Sequence, residues 1–206
     1  MNLPKISKLL SGAVLAALLI TSCGGETSCN TGQAALDVIS TRTSIRSYQD
    51  RPVGADTVEL LLRAAMSAPS ARNRQPWAFI VVDDKALLRQ LADSLPYAQS
   101  AAAASMAVVV CGVLTQANGA TNAGWWVQDA AAASENLLLA AHAVGLGAVW
   151  TGVYSYEDRV RAVRNVLGLP RHVVPLNVIP IGYPAENPAP KQKWDPAKVC
   201  RNGWTE

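Results

Sequence analysis

Histidine, cysteine and phenylalanine are scarce in this chain, which holds two, four and one of them in 206 residues. Two histidines without an acidic cluster give no ligand set for a metal. They also give no serine–histidine–acid arrangement for nucleophilic hydrolysis. Of the cysteines, Cys111 sits in the apolar run Met106 to Leu114 and reads as a buried core thiol. None of the other cysteine spacings is that of a metal or redox pair. Charge is sparse as well: charged residues make up 16% of the chain, the net charge is +3, and no basic block occurs. A nucleic-acid surface therefore has no electrostatic footprint. A dinucleotide fingerprint is missing too. Gly145-Leu146-Gly147 closes a helical pattern and opens a strand, whereas the fingerprint follows a strand and opens a helix.

What is present begins with an address. Lys5 and Lys8 precede the apolar run Leu9 to Ile20, which at about a dozen residues is too short to span a bilayer as a helix. The run ends at Ile20-Thr21-Ser22-Cys23-Gly24, which resembles the lipobox of bacterial lipoproteins. Residues 1–22 are therefore expected to be a cleaved signal, with Cys23 acylated and the protein held in the bacterial cell envelope outside the cytoplasm. Residues 23–32, rich in Gly, Ser, Thr and Asn, read as a flexible tether, and residues 33–206 as one globular domain. Outside the cytoplasm a disulfide is permitted. Cys29 and Cys200, both in terminal segments, stand open between a bridge and two thiols.

From Gln33 onward helix and strand signals alternate. Ala35, Leu36, Val38 and Ile39 suggest a short first helix. Asp56 is placed to cap a second helix, with Glu59 completing a capping box. Trp77 to Val82 reads as a strand, and Asp83-Asp84 opens the next helix. Met106 to Leu114, apolar on both faces, reads as a central strand. Trp125 to Val144 has almost no polar face and predicts a long buried helix, ended by Gly145. Ala148 to Val153 follows as a strand, Tyr156 to Leu167 as a helix with its arginines outward, and Val173 to Ile181 as a strand. Pro175 and Pro180 place the ends of that strand at an edge or at bulges. The sum is a three-layer α+β arrangement around one mixed sheet.

Two segments carry chemistry. In Arg42-Thr43-Ser44-Ile45-Arg46, an extended backbone aims Arg42, Ser44 and Arg46 to one side, as a phosphate site requires. Ala68 to Trp77 is a proline-bracketed connection dense in hydrogen-bonding groups, between a helix end and a strand start.

Together these segments resemble the start of the nitroreductase family. Its central helix is matched by Trp126-Val127-Gln128-Asp129 and Glu135-Asn136, and the following strand by Gly145 to Trp150. Its C-terminal end is matched by Ile181 to Glu186, then Lys191 and Lys193. The resemblance implies an α/β/α fold with a mixed, mostly antiparallel sheet of four to five strands around the long buried helix. It implies a homodimer with FMN at the interface. Arg42, Thr43, Ser44, Lys191 and Lys193 would hold the phosphate and ribityl end, and Arg46 would lie by the flavin pyrimidine. Pro69, Ser70 and Ala71, with Asn73 nearby, would reach the partner's flavin. Thr151-Gly152 would offer backbone near flavin N5, although Thr151 stands where relatives often have an acid. The activity implied is electron transfer from NAD(P)H or a similar donor to a nitroaromatic, quinone or related acceptor, with no side chain acting as acid or base. The short loop Thr115 to Gly124 gives little room for a closing lid and favours an open site over specialised flavin chemistry. A flavin-loaded electron relay partnering a membrane protein stands as the alternative.

Overall fold

The computed structural model describes residues 31–114 and 124–204; Cys23, Cys29, the signal and most of the tether lie outside them, as does most of the Thr115 to Gly124 loop. The described elements run α1 Thr31–Thr41, α2 Ala55–Met66, β1 Trp77–Val82, α3 Lys85–Ser94, β2 Met106–Val113, α4 Trp125–Ala143, β3 Gly147–Ala148, β4 Thr151–Gly152, α5 Glu157–Leu167 and β5 Val173–Gly182. The strands form one sheet in the order β1-β2-β5, with β3 and β4 both on the far side of β5, and every ladder is antiparallel. The parallel element of the expected mixed sheet is a single bridge, Ser44 to Ala148.

The central strand sorts the layers by its period of two. Met106, Val108 and Val110 pack with Leu61 and Ala65 of α2 and with Ala130, Leu137 and Ala141 of α4. Ala107, Val109 and Cys111 pack with Leu88 and Leu91 of α3 and Val163 of α5. This is the three-layer α/β/α arrangement, with α4 as its spine. Burial raises the Cys111 thiol to about 12, so it stays an inert core group. No helix among the described residues is long and apolar enough to cross a membrane.

Both prolines of β5 mark breaks in pairing. The register with β2 shifts opposite Pro175, between Val110 and Cys111. After this bulge the α4-facing set changes from Val174 and Leu176 to Ile179 and Ile181. Pro180 falls between the residues that pair with β3 and those that pair with β4. The expected single strand Ala148 to Val153 is consequently two short pieces: proline brings no N–H, and the Tyr48 hydroxyl reaches the Pro180 carbonyl instead, at 3.2 Å.

Three local readings are corrected. Gly54 is the N-cap of α2, so Asp56 is the second helical residue, where its charge still meets the positive helix end. Glu59 pairs with Arg63 at 2.6 Å rather than closing a capping box. The arginines of α5 do not all face outward. Arg159 Nη1 donates to the Gly152 carbonyl at the end of β4, at 3.2 Å, and Arg164 Nη2 to the Arg171 carbonyl in the turn before β5, at 2.8 Å. Asp84 does cap α3, accepting from the N–H groups of Ala86 and Leu87 at 2.9 Å.

Candidate cofactor site

A cavity of about 700 Å³ opens between the chain after α1 and the segment after β5. Arg42, Thr43, Ser44 and Arg46 line one wall, and Lys191 and Lys193 line the other with Pro188 and Pro190. The expected phosphate and ribityl residues thus meet in one place.

Their positions follow from a short stretch of backbone. The Ile45 N–H donates to the Ala148 carbonyl at 3.0 Å, and the Ile45 side chain is buried against Gly147. A Cβ on Gly147 would stand 2.6 Å from the Ile45 Cβ, so this close approach needs glycine. With Ile45 turned inward, its neighbours on either side face the cavity. The Tyr48 hydroxyl shares its proton between the carbonyls of Ile45, at 2.6 Å, and Pro180, and burial raises its pKa. On the other side Gln49 N–H donates to the Tyr183 carbonyl and Ala185 N–H to the Ser47 carbonyl, both at 2.9 Å. Glu186 extends this pairing with its side chain: Oε1 accepts the N–H groups of both Arg46 and Ser47, the latter at 3.0 Å. Those two hydrogen bonds hold its carboxyl below the usual range, with help from the Arg46 charge.

Arg42 Nε lies 3.4 Å from the Glu135 carboxylate of α4, which fixes the guanidinium at the cavity edge. Beside it the Thr41 hydroxyl donates to the Asp37 carbonyl at 2.6 Å and meets His142 Nε2 at 2.9 Å. With its one proton used, Thr41 must accept from His142, which places the imidazole proton on Nε2. The set of cations and hydroxyls in the cavity fits a phosphorylated, hydroxyl-rich cofactor such as FMN.

The remaining expected residues do not line this cavity. Pro69, Ser70, Ala71 and Asn73 lie beyond α2 in a loop with a tight 3₁₀ turn at Ala71–Asn73. Arg72, Asn73 and Gln75 all have φ between 50° and 55°, a left-handed backbone that side chains other than glycine rarely adopt. Hydrogen bonds hold it there: Gln75 N–H to Ser70 Oγ at 3.0 Å, and Ala71 N–H to Asp129 Oδ1 at 2.8 Å. Thr151 and Gly152 form the edge strand β4, where Thr151 is buried and a Cβ on Gly152 would stand 4.0 Å from Trp150 Nε1.

Three residues at these places had no role in the sequence reading. Glu186 was visible only as part of a family segment, and Asp129 likewise. Arg159 carried no signal, because an arginine in the first turn of an amphipathic helix ordinarily points to water.

A Methanothermobacter thermautotrophicus protein named as an NADH dehydrogenase/NAD(P)H nitroreductase is 46% identical over 169 residues, covering 82% of this chain and 87% of that protein. A solved Parabacteroides distasonis structure of the same description superposes with a TM-score of 0.78 at 46% identity, covering 82% of this chain and 98% of the other. An FMN-dependent nitroreductase from Clostridium difficile superposes at 0.75 with 28% identity, covering 82% and 99%. The sequence model of the nitroreductase family matches residues 39–126 and 95–183, and this chain belongs to that family.

Proposed function

We propose that this protein is an FMN-dependent oxidoreductase that takes electrons from NAD(P)H or a similar donor and passes them to nitroaromatic, quinone or related acceptors in a ping-pong cycle. Family membership supports the coarse reading, and relatives carry names such as NAD(P)H nitroreductase and FMN reductase. The observation that carries it is the meeting of Arg42, Ser44, Arg46, Lys191 and Lys193 around one cavity. Bound FMN supplies the redox chemistry. Arg42, Lys191 and Lys193 hold its phosphate, with Thr43 and Ser44 on the ribityl chain, and Lys193 gives charge without the bidentate grip of an arginine. Arg46 favours the negative charge of the reduced cofactor. Pro69, Ser70, Ala71 and Asn73 serve the flavin of a second protomer, and Thr151-Gly152 offer backbone near N5. The test is direct: the purified protein should be yellow and release FMN on heating. A colourless protein that does not take up added FMN would remove this reading.

Acylation at Cys23 in the cell envelope is part of the same proposal, supported by Lys5, Lys8 and the apolar run before the cysteine. Mass spectrometry of the mature N-terminus should find a lipid on Cys23. A soluble product beginning elsewhere would contradict it. Export also supports the second reading, an electron relay fed by a membrane partner, since NAD(P)H is scarce outside the cytoplasm. Stopped-flow mixing with NADH, NADPH and a quinol separates the two.

A further inference from the structure

The wall that carries Lys191 and Lys193 is a strap rather than a regular element. Residues 187–194 make no hydrogen bond or ion pair with the rest of the described chain. The strap's last tie before it crosses the cavity is Glu186, whose single oxygen Oε1 takes the N–H groups of Arg46 and Ser47. Between this tie and Lys191 stand Pro188 and Pro190, which fix φ at two positions and keep the intervening chain stiff. A displacement at Glu186 is therefore carried along to the lysines instead of being absorbed.

A carboxylate at the rim of an anion site is otherwise hard to account for. Glu186 lines the cavity, so its charge opposes a bound phosphate unless it is spent elsewhere. It is spent on two backbone donors and on the neighbouring Arg46 charge. What the site needs at this position is an acceptor, not a negative charge.

We propose that Glu186 is a positioning residue for the cofactor: by accepting the Arg46 and Ser47 N–H groups it locks the two cavity walls together and sets where Lys191 and Lys193 meet the phosphate. This rests on the reading of the cavity as the FMN site.

The test is a set of flavin fluorescence titrations on the full mature protein with added FMN. Glu186→Ala should raise the FMN Kd about tenfold, the worth of about one net hydrogen bond. Glu186→Gln keeps a carbonyl acceptor and should stay within about threefold of the parent, since a tenfold change marks the lost contact. In a Lys191→Ala/Lys193→Ala background, Glu186→Ala should add less than about threefold, because coupled groups are not additive. In an Arg42→Ala background it should still add its full effect. A readout that needs no flavin accompanies these: in the apo protein, hydrogen exchange at the Arg46 and Ser47 amides should speed up in the Ala variant and stay slow in the Gln variant. If Glu186→Ala binds FMN as the parent does, the inference is wrong. It is equally wrong if Gln fails as badly as Ala, which would make charge the agent, or if the full loss persists without the lysines. A parent protein that binds no FMN would instead sink the reading of the cavity itself.

Discussion

Arg42 follows α1 directly, with a side chain 17% exposed and its Nε held by Glu135. That anchorage leaves the terminal nitrogens to meet an anion in the cavity without the side-chain ordering cost of a mobile arginine. Arg42→Ala should raise the FMN Kd about ten- to a hundredfold, as for a hydrogen bond to a charged group, and disturb NAD(P)H binding less. Titration of both ligands checks it, and equal losses would move Arg42 out of the phosphate contact. His142 nearby gives a prediction in pH. Burial and then the Arg42 charge push its pKa below 6.5 in the folded state. The unfolded chain therefore takes up this proton first as pH falls, so the contribution to stability is full above pH 6.5 and is lost below it. The melting temperature should drop on acidification through that range, and His142→Gln should flatten the drop. A drop unchanged in the variant would assign it to other groups.

At the scale of elements, long periodic or uniformly apolar segments were legible. Strand β1 spans Trp77–Val82 and α4 spans Trp125–Ala143, within a residue of their sequence expectations, because each carries its own apolar pattern and stop signal. The break between β3 and β4 was not legible. It depends on Pro180 in a different strand and on the Tyr48 hydroxyl that fills the gap, a long-range arrangement that no window of sequence contains. The same contrast holds for the site. Arg42, Ser44 and Arg46 could be paired by alternation, and Lys191 and Lys193 came from the family pattern. Asp129 could not be assigned, because its partner is the backbone N–H of Ala71, which any residue but proline would offer. Asp129 is buried and holds the left-handed loop of Ser70 to Gln75. Asp129→Ala should leave that N–H without its acceptor, costing about 1–3 kcal/mol of stability, and should weaken flavin retention by releasing the loop. Denaturant unfolding and FMN titration together test this. A variant that loses stability but keeps its flavin would separate the loop from the cofactor.

At the scale of the whole molecule, the described residues leave apolar side chains of a short helix open to solvent. The apolar surface of α4 is covered by α2 and the sheet of its own chain: Ala133 is fully buried, and a charge there would break the core before it touched any interface. Helix α1, by contrast, presents apolar side chains that the described residues leave uncovered. Its Leu36 and Ile39 are each 59% exposed, and α4 is the chief element against which it rests. Eleven residues make a helix that is marginal by itself, below the roughly 12–15 needed in isolation, so α1 requires packing beyond what the other described residues supply. A second copy related by a two-fold axis would cover both α1 helices at once, which is the assembly that the proposed sharing of the Pro69 to Asn73 loop between protomers requires. Leu36 lies outside the cavity lining, so changing it tests the interface without touching the cofactor contacts of its own chain. Leu36→Glu would place a charge in an apolar contact, which is costly without a partner. Sedimentation followed at the flavin absorbance should therefore show a monomer that has lost most of its FMN. A variant that stays dimeric and yellow would clear α1 of this role, and a yellow monomer would show that each chain completes its own site.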